Sequence, residues 1–337
     1  MKSDEPVVKI EHLKKYYPVR HGVRDILGRE KQFVRAIDDV SLDLFPGEIL
    51  GLAGESGSGK TTTGEIVVRL QEPSSGTITI GGHPLDAKKA ADRLRFRRDV
   101  QMIFQDPYET LNPRFDVFET IAEPLRIHGM KDPKEIHRRV MECLEIAELK
   151  PAEQYAYRFP HELSGGQRQR VAIARGIVLE PKVLIADEPV SMLDVSIRAD
   201  ILNLLKRLRD RIGLSMIYVS HDLATVKYLC DRIAVMYLGK IVELGGADEV
   251  IENPQHPYTQ VLVSSIPVAD PDRRRTPIEV DDAPPDQINL PEGCRFTPRC
   301  PFVRGECVSC THELIERRLG QFSACLFSPE ELIPKNT

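Results

Sequence analysis

Residues 54 to 61 read Gly-Glu-Ser-Gly-Ser-Gly-Lys-Thr, a full match to the phosphate-loop (Walker A) pattern G-x-x-x-x-G-K-[ST]. Gly54, Gly57 and Gly59 let the backbone curl so that successive N–H groups face one anion, with the positive end of the following helix behind them. Lys60 is suited to bridge the β- and γ-phosphates as a point charge, and the Thr61 hydroxyl to ligate Mg²⁺. A Gly-rich turn before a helix is the plainer alternative. The apolar strand directly before the loop (Ile49 to Ala53) and the helix starting near Thr61 count against it. The chain is expected to bind a nucleoside triphosphate.

Further along, Val183-Leu184-Ile185-Ala186-Asp187-Glu188 is an apolar run that delivers two carboxylates at its C-terminal end, where open α/β sheets bind ligands. Asp187 is expected to hold Mg²⁺ through water, and Glu188 to polarise the attacking water as general base. Alone such a run is a strand meeting a solvated turn; downstream of a phosphate loop it reads as the partner motif.

Around these two anchors, Val7 to Ile10, Ser41 to Phe45 and Thr77 to Ile80 read as strands, punctuated by turns at Pro46-Gly47 and Pro73 to Gly76. Residues 112 to 180 turn helical. The helix predicted over Ser196 to Ile212 carries an apolar stripe of Ile201, Leu204, Leu205, Leu208 and Ile212, and a strand follows at Ser215 to Val219. Strands alternating with helices predict a mostly parallel α/β sheet with a helical insertion. From Val268 to Pro291 periodicity disappears into a linker or irregular arm.

The 337 residues are 41% hydrophobic and 29% charged, enough apolar material for a core. Aromatics are 6% and Trp is absent, against a module that stacks nucleic-acid bases. A net charge of -5 gives no footprint for DNA or anionic lipid. No apolar run reaches the ~20 residues of a bilayer span, and Met1 to Val8 lacks a signal-peptide core. A soluble, cytosolic protein is expected, serving any membrane through a partner.

Leu163-Ser164-Gly165-Gly166-Gln167 chooses among phosphate-loop enzymes. It resembles the signature of the ATP-binding cassette (ABC) superfamily. Gln105 in Phe104-Gln105-Asp106-Pro107, Ser191-Met192-Leu193-Asp194 and His221 in Ser220-His221-Asp222 stand in the matching order. Tyr17 resembles the aromatic that stacks on adenine, preferred over the adjacent Tyr16 by its spacing from Leu13. The resemblance implies a RecA-like P-loop NTPase core with an N-terminal antiparallel β subdomain, an inserted helical signature subdomain (about 106–175) and a small irregular Cys-rich extension. It divides the chain into a nucleotide-binding domain, 1–265, and an extension, 266–337.

It also implies roles. Gly54, Ser56, Gly57, Ser58, Gly59, Lys60, Thr61 and Thr62 would hold ATP with Tyr17, Gln105 and Asp187. Ser164, Gly165, Gly166, Gln167 and Asp194 would act on the ATP of a second cassette facing head to tail. Mg²⁺ would sit on Thr61, Gln105 and Asp187, and catalysis would fall to Glu188, His221, Gln105 and Lys60. With one copy of each motif, a two-site machine needs two chains.

Leu13 to Val19 with the insertion up to Ser41, Phe104 to Arg114, and His256-Pro257-Tyr258-Thr259 with Ser264 to Pro267 resemble the ATP-binding subunits of oligopeptide and dipeptide importers. The first two resemble the F-type member, which implies a D-type partner in a heterodimer, two membrane permease subunits, an extracytoplasmic binding protein, and a place on the cytoplasmic face of the membrane, with no nucleic acid. His256 and Tyr258 are read as packing at the start of the arm. The alternative is a soluble ABC ATPase remodelling nucleic acid or ribosomes. Such proteins usually carry two cassettes or a long coiled coil, and this sequence has neither. A vestigial cassette on an iron–sulfur module is opposed by the intact Lys60, Asp187, Glu188 and His221.

Of seven cysteines only Cys143 and Cys230 precede residue 294, and both read as buried core thiols. Cys294, Cys300, Cys307, Cys310 and Cys325 crowd the end, which in a cytosolic protein reads first as a metal site. Cys294, Cys300, Cys307 and Cys325 resemble the four-cysteine pattern of this importer group, some members of which hold a [4Fe–4S] cluster. Spacings longer than C-x2-C favour the cluster over zinc, with no metal a third reading and Cys310 an alternative to Cys307. A structural or redox-sensing role is expected of the cluster, because nothing in the sequence places it near the phosphates.

Overall fold

The computed structural model describes residues 5–19, 32–84, 90–266, 278–280, 286–311 and 313–332. Most of the arm read from Val268 to Pro291 lies outside them, as does part of the insertion before Ala36. The chain forms two compact units, the described residues of Met1–Val8, Asp43–Ile49 and Thr79–Val219 in one and of Lys9–Leu42, Leu50–Ile78 and Ser220–Thr337 in the other.

The first unit is built on parallel strands. Val100–Ile103 pairs with Val183–Asp187, Val100 opposite Val183 and Ile103 opposite Ala186. Val183 to Asp187 in turn pairs with Ser215 to Val219. Every residue of Val183–Asp187 is buried, as expected of a parallel strand covered on both faces. The helical insertion is built mainly from Val117–Ile127, Pro133–Ile146, Ala152–Ala156 and Gly165–Ile177. Two begin at aspartates whose carboxylates take the first free N–H groups: Asp116 accepts from Glu119 at 2.7 Å and Asp132 from Lys134 at 3.0 Å. Helix Val195–Ile212 buries Ile201, Leu204, Leu205 and Leu208. The predicted stripe stops there, since Ile212 is 42% exposed beside the left-handed cap Gly213.

In the second unit, Leu50 to Ala53 runs parallel to Arg232–Tyr237. The latter turns back antiparallel into Lys240–Gly246, and this strand takes Gln321–Ser323 as its other neighbour, with Glu243 opposite Ser323. A tight hairpin then adds Ile315–Arg318. The Cys-rich extension is therefore less irregular than its composition suggests: it lends strands to the sheet. A separate sheet orders Phe33–Leu44, Val8–Pro18 and Ser75–Ile80, longer than the strands predicted because half-exposed polar residues such as Lys14 and Lys15 interrupt the apolar run.

A buried ion pair ties the extension to that sheet. The Arg295 guanidinium donates to the Asp38 carboxylate and to the Leu238 carbonyl, and the Tyr16 hydroxyl donates to Asp38. Burial works against the Asp38 charge, but the Tyr16 hydroxyl and Arg295 hold its carboxyl below the usual carboxylate range. Asp38→Ala strands a buried guanidinium and is expected to destabilise the chain by about 3 kcal/mol, read as a lower denaturant midpoint. No helix among the described residues is long and apolar enough to cross a membrane.

Candidate functional site

The phosphate loop belongs to the second unit. The buried strand ends at Gly54, and the chain then needs left-handed or wider backbone angles that only glycine adopts freely: φ is +147° at Gly54 and +106° at Gly59. A side chain would also collide with backbone, its Cβ lying 2.2 Å from the Met236 carbonyl oxygen at Gly54 and 2.3 Å from that of Ala36 at Gly59. Helix Lys60–Val67 follows at once. The Lys60 ammonium folds back over the loop, donating to the carbonyls of Gly54 and Glu55 at 2.8 Å each and to Ser58 Oγ at 3.3 Å. Lys60 and Ser58 are buried, whereas Ser56, Gly57 and Thr61 are exposed and Thr62 is half-buried. The loop thus presents an open rim over a cationic floor.

The two tyrosines separate in this unit. Tyr16 is committed to Asp38, its phenol pushed up to about 12 by burial and by that carboxylate. Tyr17 is half-buried, donates its hydroxyl to Gln71 and carries the Lys15 ammonium 5.0 Å above its ring. His221 is exposed after strand Ser215–Ser220, and Asp222 beside it caps helix Leu223–Leu229 through the Ala224 N–H at 2.9 Å.

In the first unit, Asp187 ends its strand 3% exposed. Glu188 follows with φ +44°, a conformation that costs a non-glycine residue energy and is kept where the surroundings impose it. Its N–H donates to the Val219 carbonyl at 2.9 Å and its carbonyl accepts from Ser191. Gln105 is brought to it, donating Nε2–H to the carboxylate at 3.2 Å. The stretch from Ser164 to Gln167 forms a reciprocal capping box: Ser164 Oγ accepts from the Gln167 N–H at 3.3 Å, and the Gln167 side chain accepts from the Ser164 N–H at 3.0 Å. Helix Gly165–Ile177 starts from this cap, with Ser164 exposed. Gly166 is required by packing, since a Cβ there would lie 2.7 Å from Ile197. Asp194 is exposed before helix Val195–Ile212.

All five tail cysteines line one pocket together with Phe296. Burial pushes the Cys294 thiol up to about 12 and that of Cys300 to about 11, and raises Cys310 and Cys325. Neighbouring thiols add to each shift, so these groups lie within electrostatic reach of one another. Among the described residues no three His, Cys, Asp or Glu side chains are placed to hold a single metal ion. Cys143 and Cys230 are buried, as expected of core thiols.

His256 and Tyr258 pack as read: both are buried, and His256 Nδ1 accepts from the Tyr258 N–H at 3.1 Å to cap helix Pro257–Ser264. The extension also reaches the phosphate loop: Arg299, adjacent to Cys300, forms a fork on the Glu55 carboxylate at 2.8 and 3.2 Å. Sequence reading missed both residues. The signals were faint: a carboxylate at a free position of the loop motif, and an arginine abutting a tail cysteine.

Residues 37–191 match the family model described as ABC transporter, and residues 242–307 match the model described as oligopeptide/dipeptide transporter, C-terminal region. A Brucella ovis protein named for peptide import and ATP binding is 44% identical over 324 residues, 96% of this chain and 98% of its own length. The chain belongs to the ABC importer ATPases. Within that family, the glutathione import ATP-binding protein GsiA of Escherichia coli O6:H1 is 48% identical over 287 residues, 85% of this chain but 45% of GsiA. Among solved structures, the ATP-binding cassette MJ0796, a dimer bound to ADP and Pi, superposes with a TM-score of 0.62 at 31% identity, covering 71% of this chain and 98% of that one. The cbiO1 protein of Clostridium perfringens gives 0.62 at 29% identity, covering 74% and 92%. This importer ATPase accordingly has the α/β cassette fold with a P-loop core, and the remodelling of nucleic acid or ribosomes is not favoured.

Proposed function

We propose that the chain is the ATP-hydrolysing half of a machine that imports peptides or a related small solute. In this reading it sits on the cytoplasmic face of the membrane with two permease subunits, an extracytoplasmic binding protein and a D-type cassette as partners. The peptide cargo is supported by the names of the relatives and by the C-terminal region shared with oligopeptide transporters. Residues 1–265 are taken as the nucleotide-binding domain and 266–337 as the extension.

The observation that carries the catalytic reading is the contact between Gln105 and Glu188, directly after the buried Asp187. Glu188 takes the proton of the attacking water and Gln105 orients it, with His221 on the γ-phosphate. Lys60, Gly54 and Ser56 to Thr62 hold the triphosphate, and Tyr17 stacks on the base. Asp187, Thr61 and Gln105 offer the hard oxygen donors that suit Mg²⁺. Ser164, Gly165, Gly166 and Gln167 close on the partner's nucleotide, and Asp194 couples the two sites. Pull-down of the tagged chain in detergent tests the assembly: two permeases should co-purify, and a chain recovered only with ribosomes or nucleic acid would sink it.

The reading of the tail as an iron–sulfur site is supported by five thiols lining one pocket, a donor set that such a cluster takes. Cys294, Cys300, Cys307 and Cys325 are the proposed ligands, with Cys310 as substitute for Cys307. A [4Fe–4S] cluster there supplies a redox-active, iron-dependent staple. Anaerobically purified protein is expected to be brown and to hold about four irons per chain, and Cys300→Ser to lose most of the visible absorption. Colourless, iron-free protein with freely alkylated tail thiols would contradict the proposal.

A further inference from the structure

Glu55 is the second residue of the phosphate loop. A carboxylate is the wrong sign for a loop that gathers N–H groups around a polyanion. Coulomb's law makes an unpaired carboxylate beside a bound polyanion matter, even in a wet site. In the structure Glu55 is held at three points, each by a different part of the second unit. Its carboxylate takes both arms of the Arg299 guanidinium at 2.8 and 3.2 Å. Its N–H donates to the Tyr258 hydroxyl at 2.8 Å, and its carbonyl accepts from the Lys60 ammonium at 2.8 Å.

The two remote holds are joined through Phe296. Arg299 ends the short turn Thr297–Arg299, directly before Cys300, and is 10% exposed. The buried Tyr258 ring packs against Tyr237 at 4.5 Å and against Phe296 at 5.5 Å. Phe296 lies in the same short segment between Cys294 and Cys300 and lines the thiol pocket. A planar fork on a carboxylate fixes direction as well as charge. The buried aromatic group beside it keeps the segment from sliding.

We infer that Arg299 is a positioning residue for the phosphate loop: it cancels the Glu55 charge and holds the loop in its anion-receiving shape from the segment between Cys294 and Cys300. This rests on the reading of Lys60 and its loop as the triphosphate cradle. Arg299 touches no nucleotide in this scheme and acts only through Glu55.

The test is titration of the full-length chain with a fluorescent Mg-ATP analogue. Arg299→Gln is expected to raise Kd about tenfold at low salt with the thermal midpoint of the protein nearly unchanged. The ratio to wild type should shrink at 0.5 M salt, as screening removes the repulsion from Glu55 (about 4 Å Debye length). The charge swap Glu55→Arg with Arg299→Glu should return Kd to within about twofold of wild type. Wild-type affinity in Arg299→Gln overturns the inference, as does a folded swap protein that stays tenfold weak. Should Arg299→Gln not fold, the swap alone decides. Failure of the cradle reading looks different: the wild-type chain itself would not bind Mg-ATP.

Discussion

Glu188→Gln is expected to bind Mg-ATP within about twofold of wild type while releasing phosphate at least a hundredfold more slowly, the usual worth of a positioned general base. The geometry makes the substitution clean. Glu188 is held by its backbone, through the N–H bond to Val219 and the carbonyl bond from Ser191, so its left-handed φ does not depend on the carboxylate. Glutamine matches the shape, and Gln105 still has an oxygen to donate to at the same distance. What disappears is the capacity to take a proton. Single-turnover phosphate release under saturating Mg-ATP separates this from weaker binding, and wild-type release in the variant would move the base elsewhere.

Lys60→Ala acts one step earlier, on binding. Lys60 is buried, its ammonium donating to two loop carbonyls and Ser58, and on binding it exchanges these partners for phosphate oxygens at the loop floor. Hydrogen bonds between charged partners contribute about 1.5–3 kcal/mol each. Loss of two such bonds to phosphate oxygens predicts at least a hundredfold rise in Kd for Mg-ATP. Equilibrium titration reads it directly, with circular dichroism confirming that helix Lys60–Val67 persists. Tight binding by a folded Lys60→Ala protein would mean that the loop holds something other than a triphosphate.

The parts of the molecule legible in its sequence are those specified over short spans. The strand Ile49–Ala53 was readable from five apolar residues, and the loop after it from glycines whose positions the backbone demands. Val183–Asp187 and Ser215–Ser220 were readable for the same reason. Strand Gln321–Ser323 was not, because three residues carry no periodicity and its partner Lys240–Gly246 lies far away in sequence. The contact between Glu55 and Arg299 was hidden for a similar reason: 244 residues separate its members, and one arginine in a Pro-rich, aperiodic tail announces nothing. The cysteines marked their own pocket by crowding, yet crowding does not set the spacing between sulfurs, which is what separates one ion from a cluster.

The tail and the phosphate loop therefore belong to one mechanical unit. The segment between Cys294 and Cys300 supplies Arg295 to the buried Asp38 and Arg299 to Glu55, bracing the sheet that carries Tyr17 as well as the loop that carries Lys60. The Cys-rich tail is thereby a structural support of the unit that carries the phosphate loop.

Phosphate release from Mg-ATP by the complex that the chain pulls from detergent-solubilised membranes shows whether the chain turns over ATP to drive a membrane importer. Steady release is expected from a complex containing two permeases, abolished when the chain carries Glu188→Gln. Release that survives Glu188→Gln, or a permease-free complex with the same activity, would mean that the chain is not the motor of such an importer.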